Sequence, residues 1–196
     1  MTKPPPSLNQ ITSLLQKGGV IIFPTDTVWG LGVSLKSSTA IKKLYHLKHR
    51  EEGKPTAVLV GNQVQAETLA QFSNKARQLA QKYWPGALTL IVRAKPNLPL
   101  SILGQGGTIG LRVPQSHLVR DICQVLGTGL VATSANLSGD HAPIRKSDIN
   151  PQLIKLADAV VGDDINIRSG QASTVVDTTT KPLTVIRQGP ININEN

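Results

Sequence analysis

The chain has 196 residues, of which 39% are hydrophobic and 17% charged, values typical of one globular domain. No apolar run approaches the roughly 18 to 20 residues that a membrane helix needs, and residues 1–10 lack the apolar stretch of a secretory signal. We therefore expect a cytoplasmic protein without membrane contact. The single cysteine, Cys123, excludes an internal disulfide and a zinc cluster of cysteines alone.

The net charge of +9 is unevenly distributed along the chain. Residues 1–120 hold 15 lysines and arginines against 4 acidic residues, a net charge of +11, whereas residues 121–196 hold 6 against 8, a net charge of −2. A basic surplus of this size favours an anionic partner. Two candidates follow: a face that binds nucleic acid, or a pocket that binds a small polyanion such as a nucleotide.

Predicted helices and strands alternate along the chain. Apolar spacing and cap residues predict helices over 7–17, 38–47, 73–83, 117–126 and 153–157. Apolar and β-branched runs predict strands over 20–23, 31–35, 56–60, 87–92, 108–113, 130–132, 159–161, 174–176 and 183–186. Prolines and glycines in loop 94–107 argue against regular structure there. The alternation predicts an α/β fold in a single domain over 7–190, with flexible ends at 1–6 and 191–196.

Two polar segments interrupt the first half of this pattern. Residues 24–32 follow a strand and combine two threonine hydroxyls, the carboxylate of Asp26 and two glycines, which suits a small polar substrate; a turn that only redirects the chain is the alternative. Lys48, Arg50 and Lys54 form a cationic loop that suits a triphosphate. Cations at the end of a helix also complement its dipole, so a structural role stays open.

Two further segments lie in the second half. Thr108, Gly110 and Arg112 share one side of a predicted strand, where Arg112 is placed either to bind a carboxylate or simply to face solvent. Residues 132–139 follow a strand and carry small hydroxyl and amide groups, which suit phosphate oxygens or an ordinary turn. The histidines lack metal-ligand spacing, and neither a P-loop nor a dinucleotide-binding glycine motif is present.

Seven motifs, in order, resemble those of the Sua5/YciO/YrdC family: PTDTVWGLG, KHREEGKP, WPGALTL, TIGLRVP, TSANLSG, STVVD and IRQG. The resemblance extends from about residue 20 to residue 190 and is closest to single-domain, YrdC-like members. It implies a twisted sheet of mixed parallel and antiparallel strands with flanking helices and a basic concave cavity. It also implies the synthesis of L-threonylcarbamoyladenylate and pyrophosphate from L-threonine, bicarbonate and ATP, for the threonylcarbamoyladenosine modification of tRNA.

The resemblance also implies roles for individual residues. The catalytic pair would be Lys48 and Arg50. The ATP-binding residues would be Lys48, Arg50, Lys54, Thr108, Ser134 and Arg187. The threonine-binding residues would be Thr27, Arg112, Ala132 and Ser173. Mg²⁺ is expected to arrive with ATP rather than in a dedicated protein site.

The sequence departs from the family pattern at two positions that bear on the threonine pocket: Trp29 replaces the usual tyrosine, and Leu59 replaces a histidine found in some members. Further expected partners are tRNA and the proteins that transfer the threonylcarbamoyl group. The alternatives to a synthase are a module that binds double-stranded RNA or tRNA, and a YciO-like homologue that binds nucleotide.

Overall fold

A computed structural model describes residues 5–48, 56–163, 167 and 170–193. The helices are α1 (Leu8–Gln16), α2 (Ser38–Leu47), α3 (Gln63–Leu69), α4 (Asn74–Tyr83), α5 (His117–Leu126) and α6 (Pro151–Leu156). The strands are β1 (Ile21–Pro24), β2 (Trp29–Ser34), β3 (Ala57–Leu59), β4 (Ala70–Gln71), β5 (Leu88–Ala94), β6 (Thr108–Arg112), β7 (Leu130–Ser134), β8 (Ala159–Val160), β9 (Thr174–Asp177) and β10 (Thr184–Arg187).

The ten described strands form one mixed sheet, as predicted. Their order is β10-β9-β5-β6-β3-β7-β2-β1-β8, with β4 paired to β5. The pairs β1–β8, β3–β6 and β5–β9 are parallel, and the other pairs are antiparallel. Strands far apart in sequence are therefore neighbours in the sheet.

The two faces of the sheet are packed differently. One face, with residues such as Ile22, Leu31 and Leu111, contributes to a large apolar cluster with α2, α3, α4 and α6. The other face packs against α1 and α5 in a smaller cluster that includes Phe23 and Leu130. Because side chains alternate between faces along a strand, Thr89 of β5, Thr108 and Arg112 of β6 and Asp177 of β9 are directed to this second face. Its uncovered part becomes the candidate site.

Local signals account for most helix boundaries. The hydroxyl groups of Ser7, Ser37 and Ser73 cap α1, α2 and α4 by accepting a backbone N–H. Gly127 ends α5 in the left-handed conformation, at φ 64°. The predicted helix 153–157 begins earlier, at Pro151, since Asn150 provides the cap and proline fits the first helical position.

The structure corrects two predictions. Helix α3 was not predicted because it buries only Ala66, whereas Val64 is 77% exposed, so the helix shows little apolar periodicity. Loop 94–107 does contain regular structure, a 3₁₀ turn at Leu100–Ile102 whose last residue is buried. Within the described residues, none of the helices combines the length and hydropathy needed to cross a bilayer.

Near the predicted flexible C-terminal end, Ile191 is tied to the sheet. Its backbone N–H donates to the hydroxyl of Thr174 at 3.0 Å, and its carbonyl accepts from the same hydroxyl at 2.8 Å. The chain is thus held in place for four residues beyond the end of β10. Residues 1–4 and 194–196 lie outside the described part of the chain.

Candidate functional site

A cavity of about 490 Å³ opens on the second face of the sheet. Polar groups and apolar side chains contributed by β1, β2, β3, β5, β6, β7, β9 and β10 line it. Most of these residues lie at or near strand ends, where the backbone leaves the sheet. The cavity has the size and the mixed lining of a small-molecule site.

The connection between β1 and β2 presents Thr27 to the cavity in a fixed hydrogen-bonding state. The hydroxyl of Thr25 donates to the carbonyl oxygen of Val28 at 2.7 Å and lies 3.0 Å from the hydroxyl of Thr27. The Thr25 oxygen also accepts the backbone N–H groups of Thr27, at 3.1 Å, and Val28, at 3.2 Å; because its one proton goes to Val28, any hydrogen bond between the two hydroxyls is donated by Thr27. Nη1 of Arg112 donates to the Thr27 hydroxyl at 2.9 Å. Thr27 therefore keeps one lone pair, which can accept a hydrogen bond from an N–H group of a ligand.

Arg112 lies in β6 with its side chain only 6% exposed. Its Nε donates to the carbonyl oxygen of Gly86 at 2.9 Å, and its Nη2 is 2.7 Å from Oδ2 of Asp26. Burial lowers the pKa of Arg112 and the charge of Asp26 opposes this effect. The sequence placed Arg112 correctly on the polar side of its strand, but it is a buried, paired arginine rather than a solvated one.

A second cluster joins β5, β9 and β10. The hydroxyl of Ser173 lies 2.8 Å from that of Thr89 and accepts from Nη2 of Arg187 at 3.2 Å. Nε of Arg187 also donates to the carbonyl oxygen of Ser173, at 3.0 Å. Burial and the nearby charge of Arg112 both lower the pKa of Arg187. Two guanidinium groups therefore share one end of the cavity, and Asp26 neutralises one of them.

The end of β7 forms another part of the cavity wall. Ala132 and Ser134 both line the cavity. Behind them, Lys48 is buried, and its Nζ donates to the carbonyl oxygens of Ser134, at 2.8 Å, and Asn136. The lysine thus holds the turn that follows β7. Thr108 also lines the cavity, and its hydroxyl donates to the carbonyl oxygen of Gln105 at 3.2 Å.

The structure brings most of the predicted site residues to this one cavity. Those that line it are Thr27, Thr108, Arg112, Ala132, Ser134, Ser173 and Arg187. Lys48 contacts the wall from behind, through Ser134. Arg50 and Lys54 lie outside the described residues.

The sequence analysis named Asp26 only as part of the polar segment 24–32 and gave Thr89 no role, although both residues shape the site. Asp26 pairs with Arg112, and its position beside Thr27 in a polar segment is the signal that could have identified it. Thr89 positions Ser173, and it is the single polar residue in the run Leu88–Val92 of β5. A lone hydroxyl in a strand that is otherwise apolar marks a position that faces a polar partner or a cavity.

The two departures from the family pattern fall on different faces of the sheet. Leu59 lines the cavity together with Phe23 and Ile91. Trp29 is absent from the lining and packs fully buried in the cluster on the other face. The expectation that Trp29 bears directly on the pocket is therefore not met, whereas Leu59 forms part of its apolar wall.

The described residues bring no three histidine, cysteine, aspartate or glutamate side chains together as a metal-binding group. Among the described residues that line the cavity, Asp177 alone carries a carboxylate, and its Oδ1 accepts from the backbone N–H and the hydroxyl of Thr179. These donors do not amount to a coordination sphere for a resident cation.

Residues 13–189 match the family model Sua5_yciO_yrdC, whose description is "Telomere recombination". The threonylcarbamoyl-AMP synthase of Bacillus subtilis is 34% identical over 189 residues, which cover 95% of this chain and 54% of the relative. The structure of Pyrococcus abyssi Sua5 complexed with L-threonine matches with a TM-score of 0.87 and 28% identity over 93% of this chain and 54% of that one.

The crystal structure of Escherichia coli YciO matches with a TM-score of 0.84 and 26% identity, over 94% of this chain and 90% of that one. The chain thus spans about half the length of the Bacillus and Pyrococcus proteins and nearly all of YciO.

Proposed function

Because the chain belongs to the Sua5/YciO/YrdC family, we propose that it is an L-threonylcarbamoyladenylate synthase. The amino nitrogen of L-threonine would form a bond to the carbon of bicarbonate with loss of water, and the resulting carbamate would react with ATP to give threonylcarbamoyl-AMP and pyrophosphate. The observation that carries the proposal is the pair of guanidinium groups, Arg112 and Arg187, at one end of a cavity that several serine and threonine hydroxyl groups also line. With Asp26 paired to one guanidinium, this end keeps a net positive charge for an anionic substrate.

The amino acid would occupy the end near Thr27 and Arg112. The threonine carboxylate would bind at this positively charged end, where Ser173 would donate a further hydrogen bond to it. An N–H of the amino or carbamate group would donate to the remaining lone pair of Thr27. Ala132 would close the wall beside the amino acid, where its small side chain leaves room.

The nucleotide would lie in the remaining part of the cavity. Thr108 and Ser134 would offer hydroxyl groups to it, Arg187 would add charge, and Lys48, Arg50 and Lys54 would complete the phosphate site. The carbamate oxygen attacks the α-phosphorus; a P–O bond forms there and the bond to the β-phosphate breaks. Negative charge develops on phosphoryl oxygens during this step, so positioned cations such as Lys48 and Arg50 would supply the catalysis, and no protein nucleophile is required.

Mg²⁺ enters this proposal as an ion carried by the triphosphate. The isolated carboxylate of Asp177 does not form a protein site for it. Bound to the phosphates, the ion would neutralise charge on the leaving pyrophosphate. The residues of the chain would bind and orient the two substrates.

The test is the formation of threonylcarbamoyl-AMP, detected by mass spectrometry, in a mixture of protein, L-threonine, bicarbonate, Mg-ATP and pyrophosphatase. Omission of threonine should abolish the product. Arg112→Lys should raise the KM for threonine by about 10-fold or more, since lysine cannot reproduce the three directed contacts. Arg77→Lys is the matched control, because Arg77 pairs with Glu67 at 3.2 Å on the surface. A wild-type protein without threonine-dependent product contradicts the proposal.

We extend the proposal to tRNA, to the proteins that accept the adenylate, and to a cytoplasmic location, where these partners are found. The basic surplus of residues 1–120 supports a tRNA contact. Titration of tRNA at several salt concentrations tests it: affinity should fall steeply as salt rises. Tight, salt-dependent tRNA binding without any adenylate product would instead favour an RNA-binding module.

A further inference from the structure

Arg112 is held at its three guanidinium nitrogens by three different parts of the chain. Nε bonds the carbonyl oxygen of Gly86, Nη1 the hydroxyl of Thr27, and Nη2 pairs with Asp26. Nη2 is covered by the protein. Any contact of Arg112 with a substrate is therefore made through Nη1, the nitrogen that also sets the state of Thr27.

Asp26 is itself fixed by a backbone group. Its Oδ1 accepts the N–H of Gln115 at 3.0 Å, just beyond the end of β6, while its Oδ2 meets Arg112 at 2.7 Å. The carboxylate thus joins the β1–β2 connection to the strand that carries Arg112. Because the two carboxylate oxygens have separate partners, this side chain links Nη2 of Arg112 to the backbone at Gln115.

Asp26 also balances charge in the cavity. Arg112 and Arg187 repel each other, and burial disfavours the charge of both. Without Asp26, Arg112 would lose its carboxylate partner while it stays near the second guanidinium group, and it would turn from Thr27. The hydrogen-bond direction of Thr27 would then no longer be fixed.

We infer that Asp26 is a positioning residue for the amino-acid end of the cavity, acting through Arg112 on the substrate carboxylate and through Arg112 and Thr27 on the substrate N–H. The inference rests on the proposed function. Asp26 binds Arg112 and Gln115 and is not among the residues that line the cavity, so it acts on the substrates only through Arg112. Its loss should impair threonine binding much more than ATP binding.

The experiment compares Asp26→Asn with Asp158→Asn. Asp158 is a matched control outside the cavity: it also accepts a backbone N–H, from Val20 at 2.8 Å, and pairs with a cation, Lys43 at 3.0 Å. We expect Asp26→Asn to raise the threonine KM by about 10-fold or more, as misplaced binding groups do, with the ATP KM changed by less than about 2-fold. Asp158→Asn should change neither KM.

Three outcomes are distinguishable. An active wild type with the expected split between the two KM values supports the inference. An active wild type whose Asp26→Asn variant shows an unchanged threonine KM, or equal losses for both substrates, overturns the inference and leaves the proposed function standing. An inactive wild type overturns both.

A second substitution covers the case in which Asp26→Asn does not fold. Asp26→Glu keeps the charge pair but displaces it by one methylene group, so it should fold and raise the threonine KM by about 3-fold or more. Circular dichroism identifies the folded variants. An unchanged threonine KM in either folded variant contradicts the positioning role.

Discussion

The ammonium group of Lys48 lies 2.8 Å from the backbone carbonyl oxygen of Ser134, and this contact joins the end of α2 to the end of β7. The same group donates to the carbonyl oxygen of Asn136. One buried lysine therefore binds two carbonyl oxygens, those of Ser134 and Asn136, in the turn that presents Ser134 to the cavity. In the proposed synthase it would bring positive charge to the phosphate site and hold the turn in shape.

Replacing Lys48 by methionine should damage both the turn and the activity. Lys48→Met keeps the aliphatic length but leaves the two carbonyl oxygens without their charged donor. We expect the free energy of unfolding to fall by about 2 kcal/mol and turnover by about 100-fold. Urea unfolding and the adenylate assay measure the two effects. Lys43→Met, on the exposed side of the same helix, is the control; equal effects of both substitutions would contradict the assignment.

Substitutions of Leu59 and Trp29 should distinguish an effect on the shape of the pocket from an effect on core packing. Leu59→Val removes one methylene from the cavity wall, and we expect the threonine KM to rise about 4-fold, the equivalent of about 0.8 kcal/mol. Trp29→Phe, on the opposite face, should lower the free energy of unfolding without changing that KM. Steady-state kinetics measure the threonine KM of both variants, and chemical unfolding measures their stability. The reverse pattern would show that the pocket wall is wrongly assigned.

Acid should weaken the contact between Asp158 and the N-terminal part of the sheet. Burial alone would raise the pKa of Asp158, but the N–H of Val20 and the ammonium of Lys43 outweigh it, so the pKa lies below its ordinary value. A lowered pKa stabilises the fold above the unfolded value, about 3.9, and this contribution disappears as the pH falls through the folded pKa.

The corresponding prediction compares Asp158→Asn with the wild type. The variant should be less stable at neutral pH, and the difference should shrink as the pH falls below about 4, where the wild-type carboxylate becomes protonated. Urea unfolding across this pH range measures the difference, with Asp140→Asn, at an exposed carboxylate, as control. A difference that stays constant with pH would rule out the linkage.

The thiol of Cys123 should be unreactive in the folded protein. It packs fully buried between α5 and the sheet, and burial raises the pKa of its thiol to about 12. We expect Ellman's reagent to react with it only as the protein unfolds in guanidinium chloride. Cys123→Ala provides the background signal. Stoichiometric reaction under native conditions would contradict the buried assignment.

Much of the fold follows from local signals, and the site follows from them less completely. The boundaries of α2 and α5 match their predicted ranges because apolar spacing and the Ser37 cap or Gly127 end signal agree. Helix α3 has a cap residue but little apolar periodicity, so it was not predicted. The side of the strand on which Arg112 lies was predictable from alternation, but its burial was not, since that depends on Asp26 and Gly86, which are distant in sequence.

The same limit applies to the grouping of the site residues. Periodicity within β5 distinguishes Thr89 from its neighbours, yet only the parallel pairing of β5 with β9 brings it to Ser173. Motif order and the family resemblance identified most of the lining without that pairing. Partners that are distant in sequence, such as Asp26 for Arg112, could be identified only from the folded structure.

The sheet order affects when the site can exist. The contacts Thr27–Arg112, Thr89–Ser173 and Lys48–Ser134 join residues 85, 84 and 86 positions apart. During synthesis, a nascent chain that has not yet reached β9 lacks Ser173 and Arg187, so it cannot form the cavity. Substrates should bind only the nearly finished fold and should therefore stabilise it against global unfolding rather than guide its early steps.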